Sequence, residues 1–132
     1  MGAPLTIWHW LIIGLGGGLG AIARFATVTW INKWHSSHFY WGTFTVNVVG
    51  SFIMGLAFVL FTIKYPLVPG SWRSFVTVGF LGAFTTFSTF ALESMQLLHD
   101  NYITLALVYM AASVLVCLIA VSVGFGLGKL IF

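Results

Sequence analysis

The sequence predicts an all-α membrane protein of four transmembrane helices, the third broken near its middle. Three observations carry that reading. Of the 132 residues, 60% are hydrophobic and only 5% charged, whereas a soluble domain carries roughly 25% charged residues. Four apolar stretches each reach the length of about 20 residues that a bilayer-spanning helix needs. Within the third, residues 79–90 combine two glycines, four hydroxyl residues and four phenylalanines. Hydroxyls and irregular backbone at membrane depth are tolerated where protein buries them or where they line a cavity. This stretch therefore predicts a site or a pathway rather than an anchor.

The four segments are expected at about 7–31, 42–63, 72–98 and 102–130, making residues 1–132 a single integral membrane domain. Between them lie short connections, of which 64–71 carries Pro66, Pro69 and Gly70 and reads as a turn-rich loop. Trp8, Trp10, Trp30, Trp34, Tyr40, Trp41, Tyr65, Trp72 and Tyr102 fall at segment ends, forming the aromatic belts of the two interfaces. The first segment is read as a retained helix and not a cleaved signal, because Met1 to Trp10 contains no Lys or Arg.

In the first segment Gly16 and Gly20 are spaced for close helix packing, and the row continues to Ala23 and Arg24. Gly16-x-Gly18-x-x-Ala21 loosely fits a dinucleotide fingerprint, but no strand precedes it and no acid follows about 20 residues on. Arginine at a helix centre costs about 2.5–3.5 kcal/mol on insertion scales. Arg24 lies roughly 7–8 Å off centre, which leaves two readings, snorkelling to the interface or a cation at the mouth of an anion path.

The second segment carries Thr43, Asn47 and Ser51 at i, i+4, i+8, a polar stripe on one helix face. Asn47 is either an interhelical hydrogen-bonding group or a pore-lining one. In the third segment, Gly79 and Gly82 followed by Thr85-Thr86 predict a helix break over 79–86. A break frees carbonyls that can hold a small cation. Beyond it Phe87 and Phe90 share a face, and a phenyl ring edge is electropositive. Ser88 and Thr89 turn to the neighbouring face. Glu93 reads as a capping or snorkelling group. In the fourth segment Tyr109 and Ser113 at i, i+4 either extend a polar track or, for the serine, bond the helix's own backbone. Gly124 and Gly128 repeat the close-packing spacing.

The remaining titratable groups exclude several function classes. The net charge of +3 comes from seven scattered ionised side chains, too few and too dispersed for a nucleic-acid face. His35 and His38 lack a cysteine or carboxylate beside them, so no metal site is read there. Cys117 is the only cysteine and cannot form an intrachain disulfide. No nucleophile–base pair is visible, so the chain does not read as an enzyme. Four helices place Lys64, Arg73 and Lys129 on one side, against Lys33 and Arg24 on the other. So even a balance does not fix orientation, and insertion both ways allows an antiparallel, dual-topology homodimer.

Three motifs resemble the Fluc (CrcB) fluoride channels: Gly18-x-Gly20-Ala21-x-x-Arg24; Gly42-Thr43-Phe44-x-Val46-Asn47-x-x-Gly50; and Gly79-Phe80-x-Gly82-x-x-Thr85-Thr86-Phe87-Ser88-Thr89-Phe90, followed by Glu93. The resemblance implies an antiparallel homodimer with two anion paths in the bacterial inner (plasma) membrane. It implies passive fluoride export for fluoride resistance, and a structural sodium ion at the dimer interface held by the carbonyls of Gly82 and Thr85. By the same resemblance Phe87 and Phe90 face the ion and Asn47 hydrogen-bonds it. Ser88, Thr89 and Ser113 form a polar track with Tyr109 beside it, Arg24 draws anions to a vestibule, and Glu93 supports the outer path. Partners are then fluoride, sodium, a second copy and the lipid bilayer, with no nucleic acid. The rival reading is a small dual-topology proton-coupled multidrug transporter, which needs a carboxylate deep in the first helix. That helix carries Arg24 and no acid. Composition alone leads only to a small polytopic membrane protein; the anion's identity comes from the resemblance.

Overall fold

The structure, a computed structural model, describes residues 6–132. Residues 1–5 of the expected 1–132 unit lie outside the described residues. The elements are α1 (Ile7–Trp34), α2 (Trp41–Lys64), α3 (70–84), α4 (Phe87–His99) and α5 (Ile103–Ile131). They make four spans long and apolar enough to cross a membrane, because α3 and α4 together form the third, Gly70–His99. No strand occurs among the described residues.

Local chemistry sets the ends of the spans. α1 runs three residues past Ile31, and there the Asn32 carboxamide accepts the Gly42 backbone N–H at 3.2 Å, tying the end of α1 to the start of α2. α2 closes in a wide π-helical stretch, Val59–Lys64, with the Tyr65 N–H reaching back to the Leu60 carbonyl at 2.8 Å. Pro69, which has no N–H to lose, stands just before α3. Asn101, at φ 65°, turns the chain into α5; this left-handed region is several-fold enriched in Asn. Trp8, Trp10, Trp30, Trp34 and Trp72 stand exposed near the span ends.

Two glycine seams assemble the bundle. α1 packs along α3: a Cβ on Gly16 would lie 2.6 Å from the Phe75 carbonyl oxygen, and one on Gly20 only 2.2 Å from that of Phe80. Gly79 faces back across the same seam, against the Ile13 carbonyl and Gly16. α2 packs along α5, with Gly55 against Val121 and Phe125, Gly124 against the Phe52 carbonyl, and Gly128 against Val59. The Gly16/Gly20 and Gly124/Gly128 spacings are thus used within the chain itself. Small residues serve here by letting backbones approach closely where lipid supplies no hydrophobic drive.

The non-helical part of the third span is narrower than the 79–86 read from sequence. Gly79 lies in a π-helical stretch, Phe75–Leu81, and Gly82 is helical at φ −61°, ψ −37°. Only Thr85 (φ −93°, ψ 160°) and Thr86 (φ −151°, ψ 120°) are extended. Gly79 is a packing residue, and the extended backbone falls on two threonines.

The seams separate glycines that must stay glycine from those that need not. Gly124→Val is expected to cost about 1–3 kcal/mol, the range for overpacking, because its Cβ would sit 2.1 Å from the Phe52 carbonyl. Gly18→Ala meets nothing within 4 Å and is expected to hold or raise stability, since helical Gly costs about 0.5–1 kcal/mol relative to Ala. Thermal unfolding in detergent, followed by loss of the size-exclusion peak, separates the two outcomes.

Candidate functional site

At the level of Thr85 and Thr86 the chain builds a clamp between α2 and the third span. Asn47 donates through Nδ2 to the Thr86 carbonyl at 3.0 Å and accepts the Thr86 N–H on Oδ1 at 2.8 Å. One side chain thus satisfies both backbone groups of an extended residue. Thr86 in turn caps α4, its Oγ1 accepting the Thr89 N–H at 3.2 Å, the usual role of a threonine N-cap. Thr85 turns both its N–H and its hydroxyl onto the Leu81 carbonyl, at 3.1 and 3.0 Å. Gly50 makes room for it, since a Cβ there would lie 2.2 Å from the Thr85 methyl.

The clamp has a further effect on the backbone. In a continuous α-helix the Thr86 N–H would bond the carbonyl four residues earlier, that of Gly82. Here that N–H goes to Asn47, and the Gly82 carbonyl loses its helical partner.

Beside the clamp lies a cavity of about 420 Å³. Its polar wall is formed by Asn47, Ser51, Thr85, Thr86, Ser113 and Cys117, and its apolar wall includes Phe87 and Phe90. The two phenyl rings stand 5.5 Å apart, centroid to centroid, tilted by 53°. Phe90 is buried while Phe87 is 78% exposed on the surface of the chain. Ser113 is buried, and its Oγ has no hydrogen-bond partner among the described residues. It does not take the backbone bond that helical serines often take, whereas Ser94 and Ser122 do, onto the carbonyls of Phe90 and Leu118.

Glu93 occupies a different place from the one its sequence position suggests. It neither caps nor snorkels; it is 9% exposed. Its carboxylate accepts the Thr43 hydroxyl at 3.0 Å and the Tyr109 hydroxyl at 2.9 Å, joining α2, α4 and α5. Lipid offers no water to a carboxylate, so a buried one needs such donors. Tyr109 is fully buried, with Phe39, Tyr40 and Phe90 packed around its ring. Tyr40, just ahead of α2, donates to Gln96 at 3.1 Å. Its phenol is held above the ordinary value, first by burial and then by the charges of Glu93 and Asp100, so it stays a neutral donor.

The family model for CrcB-like protein, Camphor Resistance (CrcB), matches residues 11–125. The chain belongs to the CrcB family. Among curated relatives, the fluoride-specific ion channel FluC of Hahella chejuensis is 43% identical over 96% of this chain and 99% of its own length. The protein of the same name from Magnetococcus marinus is 47% identical over 90% of this chain and 96% of its own. That of Hydrogenovibrio crunogenus is 44% identical over 92% of each.

Of the residues singled out from sequence, this CrcB-family chain brings Asn47, Thr85, Phe87, Phe90 and Ser113 to one cavity. Tyr109 and Glu93 stand apart from that wall, in their own hydrogen-bonded cluster. Ser88 and Gly82 are exposed and Thr89 half-buried, all outside the cavity lining, and Arg24 is half-buried on α1. Sequence reasoning used Thr86 only at the helix break, Gly50 only in a motif and Ser51 only on the α2 stripe, and gave no role to Cys117. The signal for the last two was available, because Ser51 follows Asn47 and Cys117 follows Ser113 by four residues.

Asn47→Leu strips the Thr86 N–H and carbonyl of their partners together. Each orphaned buried group costs about 1–3 kcal/mol, so amide hydrogen exchange at residues 85–89 should accelerate well beyond that of α5. Unchanged protection there would remove the clamp from the account. Tyr109→Phe takes one donor from Glu93 and is expected to lower stability by about 1–3 kcal/mol. Combined with Thr43→Val in a double-mutant cycle, it should give a non-additive loss, because both hydroxyls serve one carboxylate.

Proposed function

We propose that the protein is a fluoride-selective ion channel that lets fluoride leave a bacterial cell passively across the inner membrane, and so confers fluoride resistance. The single observation behind this reading is the chemistry of the cavity: neutral donors and phenyl rings, with a buried serine hydroxyl left unpartnered. Three FluC relatives, each matched over nine-tenths or more of its own length, supply the ion's identity.

The geometry supports the chemistry in three ways. A small, tightly hydrated anion needs donors to replace water. Ser113 has a free O–H, and Asn47 retains the second of its two N–H donors after serving Thr86. Release needs weak binding, and phenyl edges supply attraction without a fixed cation. The one buried carboxylate is kept off the path, because Thr43 and Tyr109 hold both of its oxygens. The same fact weighs against a proton-coupled transporter, whose mechanism needs a titratable carboxylate in the central cavity.

In this reading the working unit is an antiparallel, dual-topology homodimer with two pores. Phe87, exposed at the cavity rim, would be covered by the second copy, and Phe87 and Phe90 would flank the ion. Ser88 and Thr89 would continue the polar track, Arg24 would serve the vestibule, and Glu93 with Tyr109 would brace the outer path. The carbonyls of Gly82 and Thr85 would hold a structural sodium ion between the copies. Their fit rests on the Gly82 carbonyl, freed from its helical partner on an exposed residue. Neutral carbonyl oxygens at an interrupted helix suit sodium, and its charge would favour anions nearby.

Liposomes carrying the protein, a potassium gradient and valinomycin should release fluoride electrogenically to a fluoride electrode, with negligible chloride release. Equal release of both ions, or of neither, sinks the channel reading; proton-dependent uptake of an aromatic cation would support the transporter instead. Phe87→Ile or Phe90→Ile should lower fluoride flux while the dimer peak persists on size exclusion. Full flux from both variants would take the rings out of the mechanism.

A further inference from the structure

Cys117, the only cysteine in the chain, stands in the cavity wall rather than in lipid contact alone. Two independent observations give it chemical meaning. The first is register. α2 and α5 run side by side in the same direction, since Phe52 meets Gly124 and Val59 meets Gly128. Asn47 and Ser51 recur at four-residue spacing on α2, as Ser113 and Cys117 do on α5, and all four line the same cavity. Residues four apart lie one above the other on a helix face, so the thiol sits one turn beyond the Ser113 hydroxyl.

The second observation is that hydroxyl itself. Ser113 is 95% buried, its Oγ is unpartnered, and it forgoes the backbone bond that Ser94 and Ser122 make. Buried polar groups are hydrogen-bonded as a rule, so a hydroxyl kept off its own helix points to a small polar guest in this space. A cavity that admits such a guest also admits a small neutral reagent to the thiol beside it.

The geometry points to Cys117 as a covalent modification site in the cavity wall, reached by small neutral thiol-reactive molecules, whose derivatisation closes the cavity to ions. With methyl methanethiosulfonate the step is a thiol–disulfide type exchange. The Cys117 thiolate is the nucleophile and attacks the sulfenyl sulfur of the reagent. A disulfide bond to the thiomethyl group forms, the reagent's S–SO₂ bond breaks, and its electron pair leaves with methanesulfinate. The thiol proton passes to water. The product replaces a weak S–H donor by an apolar group that has none, next to Ser113, and takes up space on the polar wall. The thiol site stands on geometry alone; the closure of the cavity rests on the channel reading above.

The test uses the full-length protein in fluoride-loaded liposomes, treated with methyl methanethiosulfonate and followed by fluoride electrode and intact mass. One thiomethyl adduct per chain is expected, together with a fall of efflux toward that of protein-free liposomes and recovery on adding dithiothreitol. Cys117→Ser, compared with its own untreated rate, should lose the sensitivity; if it does not yield a monodisperse protein, Cys117→Ala replaces it. A native protein that stays unlabelled while the detergent-denatured chain labels would overturn the site. Full labelling with undiminished efflux would overturn the closure. Untreated protein that releases no fluoride brings down the channel reading and the closure with it, while the mass measurement still decides the thiol site.

Discussion

Inside a bilayer a chain that leaves the helical path has no water to receive its N–H and C=O groups, and each orphan costs several kcal/mol. Thr86 is in that position, and Asn47 answers it with a carboxamide that donates to its carbonyl and accepts from its N–H at once. Much else follows from this pair of bonds. Because the Thr86 N–H is held by α2, α3 ends and α4 begins anew with Thr86 as its cap. Because α4 restarts there, Phe90 and Glu93 reach inward, toward Tyr109. Gly50 belongs to the same arrangement, because any larger residue would push Thr85 away from the helix that steadies its neighbour.

Around that point the protein is held by two different means. The long spans close on glycine seams, α1 with α3 and α2 with α5, where carbonyl oxygens stand where a Cβ would otherwise be. The short α4 has no such seam in evidence. It is fastened by polar bonds, Glu93 to Thr43 and Tyr109, and Tyr40 to Gln96. Close backbone packing suits parts that only have to stand together. Directional bonds suit a part that has to present particular faces, here one ring to the core and another to the surface.

The spans themselves were legible in the sequence because length, apolarity and aromatic belts are local properties. So was the polar row on α2, a matter of period alone. Glu93 was not. Its place one turn beyond Phe90 suggested a helix end, and nothing local announces that Thr43 and Tyr109, 50 and 16 residues away, will converge on it. Gly79 was misread for a similar reason. A glycine before a Thr-Thr pair looks like the cause of an irregular backbone, yet it serves a contact with Ile13 and Gly16 that only the packed bundle defines. The glycines at 16, 20, 124 and 128 carried the right message of close approach but not the identity of the partner, which lies within the same chain.

The direction of the Asn47–Thr86 pairing in the chain has a consequence for biogenesis. Translation proceeds from the N-terminus, and Asn47 lies 39 residues ahead of Thr86. The span that offers the carboxamide therefore leaves the ribosome before the span whose backbone depends on it. The reverse order would deliver an unpaired peptide unit into lipid with its partner still unsynthesised. The order of the chain thus brings the partner into place ahead of the peptide unit that needs it.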